Sequence, residues 1–125
     1  MALLHVSELP PQRAEEAFSL ARLGCGTEAA QWRALLEPDG GAQHGMLCAT
    51  AMNGVLLGLA SYRLVPDSAQ GKALHVALFV AFELGGKTLT RDALRDALYQ
   101  QCERWGCGAI LFAKDSRGLG TTGPG

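Results

Sequence analysis

The sequence predicts one α+β domain with elements in the order β-α-α-β-β-β-α-β, and three observations predict it. From Ala73 to Ala113 an apolar run, a glycine-bearing turn, an amphipathic helix and a second apolar run succeed one another, the pattern of a strand–helix–strand unit. Ahead of that unit, Met46 to Met52 and Val55 to Val65 flank Asn53-Gly54, a strong hairpin signal. The first third of the chain instead repeats its apolar residues at helical spacing.

Taken in order, Leu3 to Val6 reads as a short first strand. Pro10 and Pro11 stand at a helix start, where a missing N–H is no loss. Ala14, Phe18 and Ala21 mark the buried face of that helix, and Gly24-Cys25-Gly26 ends it. Thr27 is placed to cap a shorter helix carrying Trp32, Leu35 and Leu36 on one side, and Pro38-Asp39-Gly40-Gly41 breaks it. The hairpin follows, then a polar loop over Pro66 to Gly71, then a single strand over Ala73 to Phe82.

The last helix is the plainest element. Leu94, Ala97, Leu98, Cys102 and Trp105 form one apolar stripe, while Arg91, Asp92, Arg95, Asp96, Gln100, Glu103 and Arg104 take the other face. Thr90 suits its N-cap, Asp92 complements the dipole in its first turn, and Gly106 suits a left-handed terminus. A helix apolar on one side, set between two apolar strands, lies on one face of a sheet. Ala109 to Phe112 is the closing strand; the KDSRGLGTTGPG after Ala113 shows no apolar pattern. Residues 1–113 are therefore expected to form the domain, and 114–125 a flexible tail.

Composition narrows the function. With 48% hydrophobic and 18% charged residues the 125-residue chain reads as globular rather than disordered. Its net charge is −1 and no run of Lys or Arg occurs, so the electrostatic footprint for nucleic acid is missing. No apolar stretch approaches the roughly 20 residues of a membrane span. MALLHVSELPP lacks the basic start and long apolar region of a secretory signal, so the expected location is cytoplasmic. Cys25, Cys48, Cys102 and Cys107 make no CxxC pair and have no histidine at ligand spacing; they read as reduced structural thiols, with no metal site.

The turn before the last helix is the candidate binding element. Helix N-termini present unpaired N–H groups and favour negative charge, and glycines let a phosphate approach the backbone. Gly85, Gly86, Lys87, Thr88, Leu89 and Thr90 can build such an anion site, Lys87 or Arg91 adding charge. The competing reading is an ordinary tight strand-to-helix turn.

From about Leu3 to Ala113 the chain resembles the GNAT N-acetyltransferases. Asn53-Gly54-Val55-Leu56-Leu57-Gly58-Leu59-Ala60 is similar to that family's hairpin, and Val80, the turn to Thr90 and RDALRDALYQQCERWGCGAILF are similar to its acetyl-CoA segment. The resemblance implies a three-layer α/β/α fold on a mixed, mainly antiparallel sheet, with acetyl-CoA as co-substrate. It implies acetyl transfer to an amine of a small molecule or peptide. It assigns donor binding to Phe79, Val80, Phe82, Gly85, Gly86, Lys87, Thr88, Leu89 and Thr90. Against the family pattern V-x-P-x-x-R/Q-x-x-G-x-G/A, aligned on Val80, Phe82 replaces the proline, Gly85 the Arg or Gln, and Thr88 and Thr90 the two glycines.

Catalysis needs a base for the amine and a donor for the oxyanion. The backbone N–H following Val80 would serve as that donor. His75 is the only titratable residue on its strand, but its parity sets it opposite Leu74, Val76 and Leu78, and no catalytic side chain is assigned. The family's fourth helix, last two strands and general-acid tyrosine have no counterpart after Ala113, which leaves Ala109 to Phe112 an apolar edge and implies a homodimer. The alternatives are a GNAT-like module that binds an acyl-CoA or a partner protein without turnover, and an unrelated α+β domain with no ligand.

Overall fold

The computed structural model describes residues 4–37, 43–67, 69, 71–83 and 87–113. A six-stranded sheet runs in the order β1 (Leu4–Glu8), β2 (His44–Ala51), β3 (Leu56–Asp67), β4 (Gly71–Val76), β6 (Ala109–Phe112), and β5 (Phe79–Ala81) pairs with β3 beyond the end of β4. All pairings are antiparallel except that of β4 with β6. Helices α1 (Ala14–Cys25) and α2 (Ala29–Leu36) pack on one face and α3 (Leu89–Arg104) on the other. The expected element order and the three layers are both present.

Two cores follow from the two faces. Leu94, Leu98 and Cys102 of α3 close over Leu47, Ala60, Leu74 and Val76. Ala17, Ala21 and Trp32 of the early helices close over Met46, Cys48, Leu59 and Val80. Strand β3 lies at the centre, and every residue from Leu56 to Tyr62 is buried, because side chains of both parities meet a helix layer. Gly58 permits a close approach of α3. A Cβ there would lie 2.8 Å from Leu94 Cδ1 and 2.9 Å from both Thr90 Cγ2 and the Val80 carbonyl, so only glycine lets the first turn of α3 settle onto β3.

Several expectations are refined. The first helix is preceded by a short 3-10 turn (Pro11–Arg13) and runs through Gly24 to Cys25, ending at Gly26. The second is capped by Glu28, not Thr27: Glu28 and Gln31 form a reciprocal capping box, and Thr27 is buried instead. The hairpin forms where expected, but Asn53 keeps a negative φ, so the turn is not a two-residue type I′ connection. Gly54 N–H donates to the Ala51 carbonyl at 2.9 Å with Gly54 at φ 87°, a type I turn followed by one left-handed residue. At the other end of the domain Gly106 (φ 71°) terminates α3 as expected, with Cys107 N–H bonded back to the Cys102 carbonyl at 2.9 Å. Leu3, the 38–41 break and the 114–125 tail lie outside the described residues.

One polar pair sits at the margin of the α3-side core, Tyr62 buried and Glu8 exposed. The Tyr62 hydroxyl donates to the Glu8 carboxylate, and the Trp105 ring stands 5.4 Å from that of Tyr62. Burial, then the Glu8 carboxylate, push the Tyr62 phenol far above its ordinary value. A phenol whose pKa is raised by folding contributes stability that is whole below the unfolded value and is lost as pH climbs. Denaturant titrations are therefore expected to show wild-type stability falling once pH passes about 10, the unfolded tyrosine value, with a distinctly flatter profile for Tyr62→Phe; equal slopes would remove the pair from this role.

Candidate functional site

The site begins with a fault in one strand. The expected strand over Ala73 to Phe82 is broken at Ala77-Leu78 into β4 and β5. On β4, Arg63 faces His75 and Asp67 faces Gly71; on β5, Ala60 faces Phe79 and Gly58 faces Ala81, a shift of one residue. The extra residue is a β-bulge, and it reverses side-chain parity. Leu74 and Val76 enter the α3-side core, whereas Leu78 and Val80 enter the α1/α2-side core. Ser61 stitches the fault: its hydroxyl accepts the Leu78 N–H at 2.9 Å, and its own N–H donates to the Leu78 carbonyl at 2.9 Å.

The pairing with β6 runs up to the bulge. Val76 faces Phe112, and the Ala113 N–H reaches the Val76 carbonyl at 2.9 Å; among the described residues β5 pairs with β3 alone. Leu78 and Phe82 spend their backbone groups on Ser61 and Leu57 of β3, so strand alternation turns the N–H and C=O of Phe79 and Ala81 to the opposite edge. Cys25 Sγ lies 3.9 Å from the Phe79 carbonyl, and the rings of Phe79 and Phe112 meet edge-on at 5.7 Å. Among the described residues no strand pairs with β5 on that edge, beside Phe79 and Ala81. An extended chain carrying amides fits that edge as an added strand would.

The head of α3 is arranged differently from the expectation. Its N-cap is Thr88, not Thr90, and the Thr88 hydroxyl donates to Asp92 Oδ2 at 3.0 Å rather than serving a helix amide. Thr90 sits inside the first turn, 1% exposed, with its hydroxyl bonded to the Phe82 carbonyl at 3.0 Å. Glu83 supplies the cap. One of its carboxylate oxygens accepts the Thr90 N–H at 2.8 Å and the other accepts the Arg91 N–H at 2.9 Å. These are the second and third amides of the helix, the donors an anion would use.

The residues named from sequence divide accordingly. Phe79 and Val80 are buried in β5, their side chains on opposite faces, and the Phe82 carbonyl and Thr90 amide are both engaged within the protein. Lys87, Thr88 and Leu89 are exposed at the head of α3, and Gly85 and Gly86 lie outside the described residues. Glu83 was not among the residues singled out. Its signal was a carboxylate on the connection into a helix that lacks an aspartate or serine at its own N-cap. His75 is half-buried, and burial together with the Arg63 guanidinium holds its imidazole below the ordinary histidine value. A shallow cavity of about 490 Å³ lies between α1 and α2, lined by Phe18, Arg22, Gly26, Thr27, Glu28 and Ala29. Among the described residues no group of His, Cys, Asp or Glu is arranged to hold a metal ion, and no helix is long and apolar enough to cross a membrane.

Comparison with protein-family profiles finds no match, and neither does comparison with curated protein sequences. Solved structures do match. A ribosomal-protein-alanine N-acetyltransferase from Brucella melitensis biovar Abortus superposes with TM-score 0.68 at 19% identity, over 87% of this chain and 79% of that one. The aminoglycoside N-acetyltransferase AAC(6')-Iy, in complex with CoA, gives 0.69 at 13% identity over 88% and 76%. A GNAT family acetyltransferase of Staphylococcus aureus gives 0.67 at 14% identity over 99% and 96%. The fold is that of the GNAT acetyltransferases.

The Ser61 stitch is open to a direct check. Ser61→Ala leaves the Leu78 N–H buried without its acceptor, and is expected to cost about 1–2 kcal/mol in denaturant unfolding; an unchanged midpoint would show that the bulge holds without it.

Proposed function

We propose that the chain transfers an acetyl group from acetyl-CoA to an amine of a small molecule or peptide. The observation that carries this reading is the bulge at Ala77-Leu78, which turns the Phe79 and Ala81 backbone to an edge of β5 with no strand partner among the described residues, an edge we read as a donor slot. An acyl thioester lying along that edge supplies the activated carbonyl. The chain's part is to pair with the donor's amide-bearing arm through Phe79 and Ala81, and to aim the Ala81 N–H at the carbonyl oxygen as charge develops there. The amine nitrogen bonds to the carbonyl carbon, the C–S bond breaks, and the departing thiolate takes up the proton the amine sheds, with no side chain assigned as the base. The cavity between α1 and α2 is the proposed place for the acceptor. The thioester donor fits the strand edge; at the head of α3 its phosphates meet Glu83.

That carboxylate favours a second reading, a GNAT-fold module that holds an acyl-CoA or a partner protein without turnover. Leu111 and Phe112, 42% and 44% exposed on the edge strand β6, support pairing with a second copy. The unbridged thiols support a cytoplasmic setting.

Thermal unfolding with acetyl-CoA, followed by free-thiol release against a panel of amines, separates the readings. Stabilisation together with amine-dependent thiol release is expected; stabilisation without release establishes an acyl-CoA-binding module, and neither signal removes both acyl-CoA readings and leaves the partner-binding one. Light scattering during gel filtration is expected to give a dimer that Leu111→Lys dissociates.

A further inference from the structure

We propose that Glu83 decides which acyl donors the slot accepts: its carboxylate takes the place of a diphosphate at the head of α3, so a donor is recognised by its acyl-pantetheine arm. This rests on the acyl-donor reading above and names the donor class for that site.

The geometry leaves little room for two anions. Both oxygens of Glu83 are engaged, at 2.8 Å and 2.9 Å, by the two adjacent amides of Thr90 and Arg91 that a phosphate would need. A carboxylate held by two charge-assisted bonds at a helix N-terminus satisfies the dipole from within the chain. The residue before it is pinned twice. Phe82 N–H donates to the Leu57 carbonyl of β3 at 2.8 Å, and the Phe82 carbonyl accepts the buried Thr90 hydroxyl at 3.0 Å. A diphosphate using those two amides must displace Glu83, losing its two bonds, or lie beside it against like charge. The slot at Phe79 and Ala81 is unaffected, since it offers uncharged backbone groups to the amides of a pantetheine arm.

Calorimetric titration of the whole chain with acetyl-CoA and with S-acetylpantetheine, which lacks the diphosphate, tests this. Wild type is expected to bind the two within about threefold of each other, since the diphosphate adds nothing. In Glu83→Ala the acetyl-CoA affinity is expected to rise about tenfold or more while that for S-acetylpantetheine stays within about twofold, the change two freed helix amides would give. Glu83→Gln, isosteric and still able to cap one amide, is expected to fall between them. Its ligand-free unfolding transition, and that of the alanine variant, verify that each is folded. A wild type preferring acetyl-CoA by tenfold, or variants with an unchanged ratio, overturns the assignment of Glu83 while leaving the acyl-donor reading intact. Failure of all three proteins to bind either donor overturns that reading and this inference with it.

Discussion

A single inserted residue in the strand that follows β3 governs the rest of the site. Pairing with β3 continues on either side of Ala77-Leu78, so the sheet is not interrupted, but its register advances by one and its faces exchange. The exchange sends Val80 against α1 while Phe79 stays on the α3 side. The described pairing of β4 with β6 runs up to the same irregularity, ending at Val76. Ser61 is the side chain that makes the irregularity affordable, giving the bulged amide a partner in a region with no water to supply one.

The head of α3 shows the opposite tendency, closure rather than opening. Glu83, Thr90 and Phe82 satisfy one another, so that the Thr90 and Arg91 amides, the Thr90 hydroxyl and the Phe82 carbonyl are taken up by the chain itself. Gly58 belongs to the same arrangement, because its missing Cβ allows Thr90 and Leu94 to come down onto the centre of the sheet. The open strand edge and the closed helix head are neighbours joined through Phe82, which bonds to β3 with its amide and to Thr90 with its carbonyl.

Most of the architecture was legible in the sequence because it is written in periodicity. The stripe Leu94, Leu98, Cys102 fixed the face of α3, Gly106 its end, and Asn53-Gly54 the hairpin. What escaped was set by single contacts between distant positions. Nothing in ALHVALFVAF announces a bulge, since all its residues suit a strand and the fault depends on Ser61 across the ladder. Thr90 was misplaced as the N-cap because its hydroxyl, suited to capping, is spent on Phe82 instead. Glu83 escaped for a related reason: helix-capping signals are sought next to the first turn, and this carboxylate reaches it from the far end of the connection.

The parallel pairing of β4 with β6 has a bearing on how the molecule is made. Synthesis runs from the N-terminus, so β1 to β4 leave the ribosome before α3 and β6 exist. During that interval the outer flank of β4 has no partner, and Leu74 and Val76 lack the helix that will bury them. The nascent sheet therefore passes through a stage with one sticky margin, and its solubility then depends on how fast the strand–helix–strand crossover is completed.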